Sequence, residues 1–100
     1  MRVALFGGSF NPPHVCHVLA ATWVLSTRPV DQVWFMPTYR HAFGKELAPF
    51  AVRCEMVERA IDILGERAHI TKIESELGGV SRTIDTLKTL IVRYPGHTFS

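Results

Sequence analysis

The sequence predicts an α/β fold built on a parallel sheet, and two observations support this prediction. Short apolar runs alternate with segments of helical periodicity, in the order strand, helix, strand, helix, strand, helix, strand. The composition, with 47% hydrophobic and 20% charged residues, is that of a globular chain and not of a disordered one. With 100 residues, the chain forms one domain at most.

The first strand–helix–strand unit is marked by apolar runs and prolines. Arg2 to Phe6 is a short apolar run that ends at two glycines, which predicts a buried strand. Pro12-Pro13 suits the entry to a helix, because proline lacks only a donor that the first turn leaves unpaired. We expect this helix over residues 14–26. Gln32 to Met36 predicts a second strand, and Pro37 ends it.

A long connection and an amphipathic helix come next. Residues 37–49 show no clean periodicity, and a connection of this length is often functional. Residues 50–64 place apolar side chains on one stripe, which predicts a helix with its polar side in water. On that polar side, Glu55 and Arg59 are spaced to form an i, i+4 ion pair.

The rest of the chain predicts one more helix between two strands. His69 to Ile73 has the pattern of a third strand. A helix follows, capped by Ser81 or Thr83, with Ile84, Leu87, Ile91 and Tyr94 at helical spacing. Residues 97–100 begin a fourth strand, and we expect residues 1–100 to be a truncated, N-terminal part of a single domain.

Several single residues also carry an expectation. Trp23 and Trp34 are predicted to lie in the core, whereas Arg53 either pairs with a phosphate or, as is commoner on a helix, is solvated. Cys16 and Cys54 lack a paired spacing, so we predict two buried free thiols in a reducing cytosol.

Charge and hydropathy exclude two classes of partner. A net charge of +2, spread over scattered lysines and arginines, gives no basic patch for a nucleic acid. No run approaches the roughly 18 apolar residues of a membrane span, and the basic start and cleavage site of a signal peptide are missing. We therefore expect a cytoplasmic protein without nucleic-acid or membrane partners, whether monomer or homo-oligomer.

The turn after the first strand has the features of a phosphate site. Gly7-Gly8 allows close approach of the backbone to a ligand, and the helix behind offers unpaired N–H groups and a positive dipole end. Neither the G-x-G-x-x-G pattern nor the phosphate-binding loop with Gly-Lys-Ser/Thr is present. A tight turn that needs glycine for its own geometry is the alternative.

His14 and His17 strengthen the phosphate interpretation. At i, i+3 they share one face of the first helical turn, where imidazoles can donate hydrogen bonds to a phosphate and stabilise developing charge. A shared zinc ion is a competing interpretation, although Cys16 as third ligand would point elsewhere and no carboxylate lies nearby in sequence. Simple capping and solvation is the third.

Taken together, these residues resemble a known family. Residues 8–17 match the G-x-F-x-P-x-[H/T]-x-x-H signature of the nucleotidyltransferase superfamily with a Rossmann-like fold. More narrowly, the Gly-Gly-Ser-Phe-Asn-Pro-Pro-His form, the run Trp34 to Pro37 and the string Thr83-Ile84-Asp85-Thr86-Leu87 resemble bacterial nicotinate-nucleotide adenylyltransferases. The resemblance runs in order along the whole chain.

The resemblance implies transfer of AMP from ATP to nicotinic acid mononucleotide, with Mg²⁺ as helper, to give deamido-NAD and pyrophosphate. Gly8, Ser9 and Phe10 would line the nucleotide phosphates with their backbones, and His14 and His17 would contact the phosphates of ATP. No enzyme nucleophile is needed, so catalysis rests on positioning and charge stabilisation.

Three more residues receive a role from the resemblance. Lys45 would reach the β- and γ-phosphates from the long connection, with an ordinary surface lysine as the alternative. Thr83 and Asp85 would lie near the mononucleotide, although Thr83 can also cap its helix and Asp85 can complement the helix dipole.

Two rival interpretations remain at this point. A pantetheine-phosphate adenylyltransferase or a cytidylyltransferase would share the first motif, but the residues at 11–13 and the string at 83–87 argue against both. A non-catalytic nucleotide-binding fragment is the rival from another class. The family's second nucleotide motif, Ser-Ser/Thr-x-x-Arg, is missing, so we expect residues 1–100 alone to be inactive.

Overall fold

A four-stranded parallel sheet is the centre of the fold. The computed structural model describes residues 1–8, 10, 15–39, 48–77 and 83–99. Its strands are β1 (Arg2–Gly8), β2 (Gln32–Pro37), β3 (Ala68–Ile70) and β4 (Thr98–Phe99). Its helices are α1 (Val15–Thr27), α2 (Phe50–Ile61), α3 (Ile73–Leu77) and α4 (Thr83–Arg93). The predicted α/β class, a Rossmann-like sheet with flanking helices, is confirmed.

The strand order determines where a ligand can bind. The sheet has the order β3-β2-β1-β4, and all three neighbouring pairs are parallel. In the central pair, Leu5 lies opposite Trp34 and Gly8 opposite Pro37. From β1 the chain proceeds to one side of the sheet, and from β3 it returns to the other side of β1. The carboxyl ends of β1 and β4 therefore flank the position at which ligands bind in open α/β sheets.

One face of the sheet, the α1/α2 face, has the larger core. Alternate strand residues point to it, and Val33 and Phe35 of β2 are both buried there. The buried cluster on this face comprises Phe10, Ala21, Leu25, Val33, Phe35, Val57, Ile61 and Ala68. The apolar stripe of α2 supplies Val57 and Ile61, as the amphipathic pattern predicted, and its Glu55–Arg59 ion pair forms at 2.7 Å.

The opposite face, the α3/α4 face, has a smaller core. Its buried residues are Val3, Trp34, Ile73 and Leu90. Trp34 is thus a core residue as predicted, with Tyr94 edge-on at 5.0 Å between ring centroids. On α4, Leu90 and Thr86 are buried whereas Ile91 is 57% exposed, so the face that packs differs from the predicted one.

The predicted element bounds hold to within a few residues, with two informative differences. α2 ends at Ile61, not at residue 64, and continues as a 3₁₀ segment from Asp62 to Arg67. Within this segment Gly65 has a φ of 62°, a conformation that glycine adopts without steric penalty. The third strand ends at Ile70, and Ile73 instead begins α3, where its side chain is buried against the α3/α4 face.

Two residues of α1 were wrongly predicted to be buried. Trp23 is 55% exposed, with the guanidinium of Arg28 5.2 Å from the centre of its ring, so it is not a core residue. Cys16 is an exposed thiol, whereas Cys54 is buried, and both are free. The helix packs through Ala21 and Leu25, which lie on its other side. No helix in the described part of the chain is long and apolar enough to cross a membrane.

Candidate phosphate site at the end of β1

The two glycines lie inside the first strand rather than after it. Gly7 and Gly8 are the last residues of β1 and pair with Met36 and Pro37. The carbonyl oxygen of Gly8 accepts a hydrogen bond from the N–H of Thr38 at 2.9 Å. A Cβ atom at Gly8 would lie 3.3 Å from Cζ of Phe10, closer than carbon atoms normally pack. A side chain at residue 8 would therefore have to displace the ring of Phe10 by a few tenths of an ångström.

Phe10, not a glycine, adopts the unusual backbone conformation of the turn. Its φ is 48°, in the left-handed region that a bulky residue rarely occupies. The side chain is 2% exposed, with ring centroids 5.8 Å from Phe6 and 5.6 Å from Phe35. Burial of the ring offsets the strain of about 1–3 kcal/mol that such a backbone stores. Strained residues of this kind cluster at functional sites.

His17 is held by the same aromatic group. It lies in the first turns of α1, and its ring meets Phe10 edge-on at 4.9 Å and Phe6 edge-on at 5.7 Å. The imidazole is half-buried. Two rigid aromatic neighbours restrict its orientation beside the carboxyl end of β1 and the N-terminal part of α1. An imidazole in this place can donate a hydrogen bond to an anionic ligand.

The structure brings together three of the predicted site residues, Gly8, Phe10 and His17. Ser9, His14 and Lys45 lie outside the described residues. Thr83 and Asp85 form the first turn of α4, and the structure describes their backbone only. Because α4 leads into a strand parallel to β1, its N-terminus lies at the same edge of the sheet as Gly8.

Arg53 is a buried residue at this edge that sequence reasoning misplaced. Its side chain is 1% exposed, although a solvated arginine is the commoner case on a helix. Its guanidinium donates to the carbonyl oxygens of Ala48, Thr38 and Tyr39 at 2.7, 2.6 and 3.4 Å. Burial lowers the pKa of Arg53, and burial likewise raises the pKa of the adjacent Cys54 thiol. Arg53 nevertheless stays protonated at neutral pH, as arginines in proteins do.

The Thr-x-Asp-Thr-Leu string contains a second residue whose role the sequence did not reveal. Thr86 is fully buried, and its hydroxyl donates to Oε1 of Glu74 at 3.1 Å. This bond joins α4 to α3. The signal in the sequence was the helical spacing of Thr86 from Leu90, which places both on the buried side of α4.

A metal centre formed by the protein has no support in the described ranges. Residues 1–8, 10, 15–39, 48–77 and 83–99 contain no group of three or more His, Cys, Asp or Glu side chains placed to hold a metal ion. His14, one of the two histidines in the zinc interpretation, lies outside these ranges, so that interpretation is still an open alternative.

Comparison with known proteins shows the family to which the chain belongs. Residues 5–92 match the family model described as cytidylyltransferase-like. The chain is 48% identical to a protein of Anaeromyxobacter sp. (strain K) named "Probable nicotinate-nucleotide adenylyltransferase", over 99% of this chain and 54% of that protein. A Myxococcus xanthus protein of the same name is 46% identical, over 95% of this chain and 50% of its own length.

A solved structure agrees in fold. Nicotinic acid mononucleotide adenylyltransferase of Plasmodium falciparum, complexed with NaAD, superposes with a TM-score of 0.84 at 22% identity. The match covers 98% of this chain and 49% of that one. The chain spans about half the length of the curated relatives it matches. On the family model and these relatives, the chain belongs to the cytidylyltransferase-like family.

Proposed function

We propose that the protein containing this chain transfers AMP from ATP to nicotinic acid mononucleotide, forming deamido-NAD and pyrophosphate. The observation that carries the proposal is the convergence of Gly8, Phe10 and His17 at the carboxyl end of β1. Relatives of 46–48% identity carry the name of this activity, and they support adenylyl transfer over cytidylyl transfer.

The proposed chemistry is an in-line displacement at phosphorus. A phosphate oxygen of the mononucleotide forms a bond to the α-phosphorus of ATP. The bond from that phosphorus to the oxygen bridging to the β-phosphate breaks, and pyrophosphate leaves with the electron pair. No covalent enzyme intermediate is involved, so the protein contributes orientation and stabilisation of the charge that develops on the phosphates.

The ATP side of the site is built on β1 and α1. Backbone groups of Gly8, Ser9 and Phe10 would lie along the phosphates, and the N-terminal N–H groups of α1 would face them. His17, held edge-on by two phenylalanine rings, would donate a hydrogen bond to a phosphate oxygen. His14 and Lys45 would supply further hydrogen-bond donors to the phosphates of ATP.

The acceptor side is assigned to the start of α4. Thr83 and Asp85 stand in the first turn of this helix, at the sheet edge where β1 ends. The Thr86–Glu74 hydrogen bond holds this part of α4 against α3. A mononucleotide there would share the carboxyl edge of the sheet with the ATP phosphates, so that its phosphate could approach the α-phosphorus. Capping of α4 by the same two residues is compatible with this role.

Mg²⁺ enters the proposal as part of the nucleotide substrate. Magnesium prefers oxygen ligands in octahedral geometry, whereas the donors described at the turn are N–H groups and an imidazole. The described residues also contain no cluster of carboxylates that could hold the ion. We therefore assign Mg²⁺ to the phosphates of ATP and derive no step through a protein-bound metal. The reaction is proposed to take place in the cytoplasm.

The test is a pyrophosphate-release assay with the longest natural form of the protein. ATP or, in a parallel assay, CTP is supplied with one of three acceptors: nicotinic acid mononucleotide, nicotinamide mononucleotide or phosphopantetheine. We expect the first acceptor to be used best. Nicotinamide mononucleotide, which lacks the carboxylate, should be poorer because a site built for a charged group is left unpaired.

Two results would contradict the proposal. Preference for phosphopantetheine, or for CTP over ATP, would favour another nucleotidyltransferase. Binding of ATP without pyrophosphate release with any acceptor would favour a non-catalytic nucleotide-binding module.

A further inference from the structure

We infer that Arg53 is a positioning residue. Its side chain joins both ends of the connection between β2 and α2 to β1, the strand whose carboxyl end leads into the turn with Gly8 and Phe10 (the phosphate turn). The inference rests on the proposed function, since its catalytic consequence presupposes adenylyl transfer at this turn. Arg53 does not itself belong to the motif residues that the family resemblance assigns to the site.

The guanidinium bonds to two separate stretches of chain. Thr38 and Tyr39 directly follow β2, and Ala48 lies two residues before α2. Arg53 donates to the carbonyl oxygen of each of the three. The two stretches are the ends of the connection, and between them lie residues 40–47, which include Lys45. The Arg53 side chain therefore connects the two ends of this segment.

Aromatic packing reinforces the same junction. The Arg53 guanidinium lies 5.5 Å from the centre of the Phe50 ring, at a distance typical of a cation–π contact. Phe50 in turn meets the ring of Tyr39 edge-on at 5.2 Å. The first turn of α2 and the residues after β2 are thus joined by side chains as well as by hydrogen bonds.

A further hydrogen bond links the junction to the phosphate turn. Thr38, whose carbonyl oxygen accepts from Arg53, donates its own N–H to the carbonyl oxygen of Gly8. The path from the guanidinium to Gly8 therefore passes through a single residue. Gly8 is the last residue of β1 and packs against Phe10, which orients His17.

The chemistry of this junction suits arginine and not lysine. Three carbonyl oxygens approach from different directions, and the planar guanidinium offers five donors in a rigid fork. An ammonium group is a compact point charge with three donors and cannot reproduce the fork. Removal of the side chain would break three part-buried hydrogen bonds to these carbonyl oxygens, which is unfavourable.

The experiment uses the longest natural form of the protein and two pairs of variants. Arg53→Met keeps the stem and removes all donors, and Arg53→Lys keeps the charge but not the fork. Arg59→Met and Arg59→Lys are the matched controls, because Arg59 is on the exposed side of the same helix and pairs with Glu55. The kcat and the KM for ATP are measured for each variant. The kcat is calculated per folded molecule, with the folded fraction determined by near-UV circular dichroism.

We expect Arg53→Met to lower kcat about 100-fold, the loss typical of a small misplacement of catalytic groups, with a much smaller change in KM. Arg53→Lys should recover part of the loss, and both Arg59 variants should match the wild type. Amide hydrogen exchange of the peptide covering residues 37–49 should speed up in the Arg53 variants alone.

The outcomes distinguish anchoring of the connection by Arg53 from an effect of Arg53 on catalysis. Faster exchange with wild-type kcat would overturn the positioning role and leave Arg53 a structural residue. Unchanged exchange would overturn the anchoring itself. If Arg53→Met does not fold, Arg53→Lys decides, and wild-type kcat and exchange in that variant would overturn the inference. A wild-type protein without adenylyl transfer would instead overturn the proposed function, while exchange still tests the anchoring.

Discussion

The two faces of the sheet are built differently, although the same strands contribute to both. On the α1/α2 face the core runs continuously from the helices to Phe10 and reaches His17 through ring contacts. On the α3/α4 face the core is smaller, and its aromatic rings, Trp34, Tyr94 and Phe99, pack against one another. The core therefore contacts the residues of the candidate phosphate site directly on the α1/α2 face, whereas on the α3/α4 face the link is indirect.

From this difference we infer which core mutations should disturb the candidate phosphate site. A side chain of the α1/α2 face supports the turn after β1 directly, so its loss changes both stability and the orientation of His17. On the α3/α4 face the link to the site passes through α4, whose position depends on the Thr86–Glu74 hydrogen bond.

Paired core truncations are the strongest test. Phe35→Ala and Leu90→Ala each remove a side chain that is almost fully buried, one on either face. Both should lower the free energy of unfolding, by about 3–5 kcal/mol for Phe35 and about 2–5 kcal/mol for Leu90. Only Phe35→Ala should also lower kcat per folded molecule, because Phe35 packs against Phe6 and Phe10. Urea unfolding and the pyrophosphate assay measure the two effects, and equal kcat losses would contradict the comparison.

Removal of the His17 imidazole should lower catalytic activity without a large loss in the free energy of unfolding. His17→Ala is expected to lower turnover by about 100-fold or more, as loss of one transition-state donor typically does. His69→Ala is the matched control, since His69 is an exposed histidine on β3 that bonds to Gln32 and Glu66. Steady-state kinetics of the longest natural form decide, and wild-type turnover in His17→Ala would remove His17 from the site.

The α3/α4 face can be tested by removing the hydroxyl of Thr86, which bonds to Glu74. Thr86→Val replaces the donor to Glu74 by a methyl group of similar size, and should lower the free energy of unfolding by about 1.5 kcal/mol. Thr22→Val is the control, because Thr22 is an exposed α1 residue whose hydroxyl bonds only back to Val18, and a change within about 0.5 kcal/mol is expected. Equal urea midpoints for the two variants would show that the buried bond contributes nothing.

The smallest expected effect is that of the exposed ion pair on α2. A double-mutant cycle with Glu55→Gln and Arg59→Gln should give a coupling of about 0.3–0.5 kcal/mol, because exposed i, i+4 pairs are weak. The side chains are 60% and 79% exposed, respectively, and 0.5 M salt should reduce the coupling further. A coupling above about 1 kcal/mol would mean that the outer side of α2 is less solvated than the structure indicates.

Local patterns in the sequence predicted most of the fold and the centre of the candidate site. Apolar runs of strand length and the stripe of α2 predicted their elements correctly, since periodicity reports which side of one element is buried. The first motif likewise indicated Gly8, Phe10 and His17, through its resemblance to the nucleotidyltransferase signature. What periodicity cannot report is which neighbour covers a side. For this reason Trp23, on an apolar helix, was wrongly predicted to be buried.

By itself, the sequence determined which segments form the four strands and the helices α1, α2 and α4, because each depends on residues close together in the chain. Tertiary structure alone decided the burial of Arg53, the bond between Thr86 and Glu74 and the strained backbone of Phe10. Each of these depends on partners that are distant in sequence and are brought together only when the sheet assembles. Arg53 is the clearest case, because a buried guanidinium requires three carbonyl oxygens to converge, and no local pattern specifies that convergence.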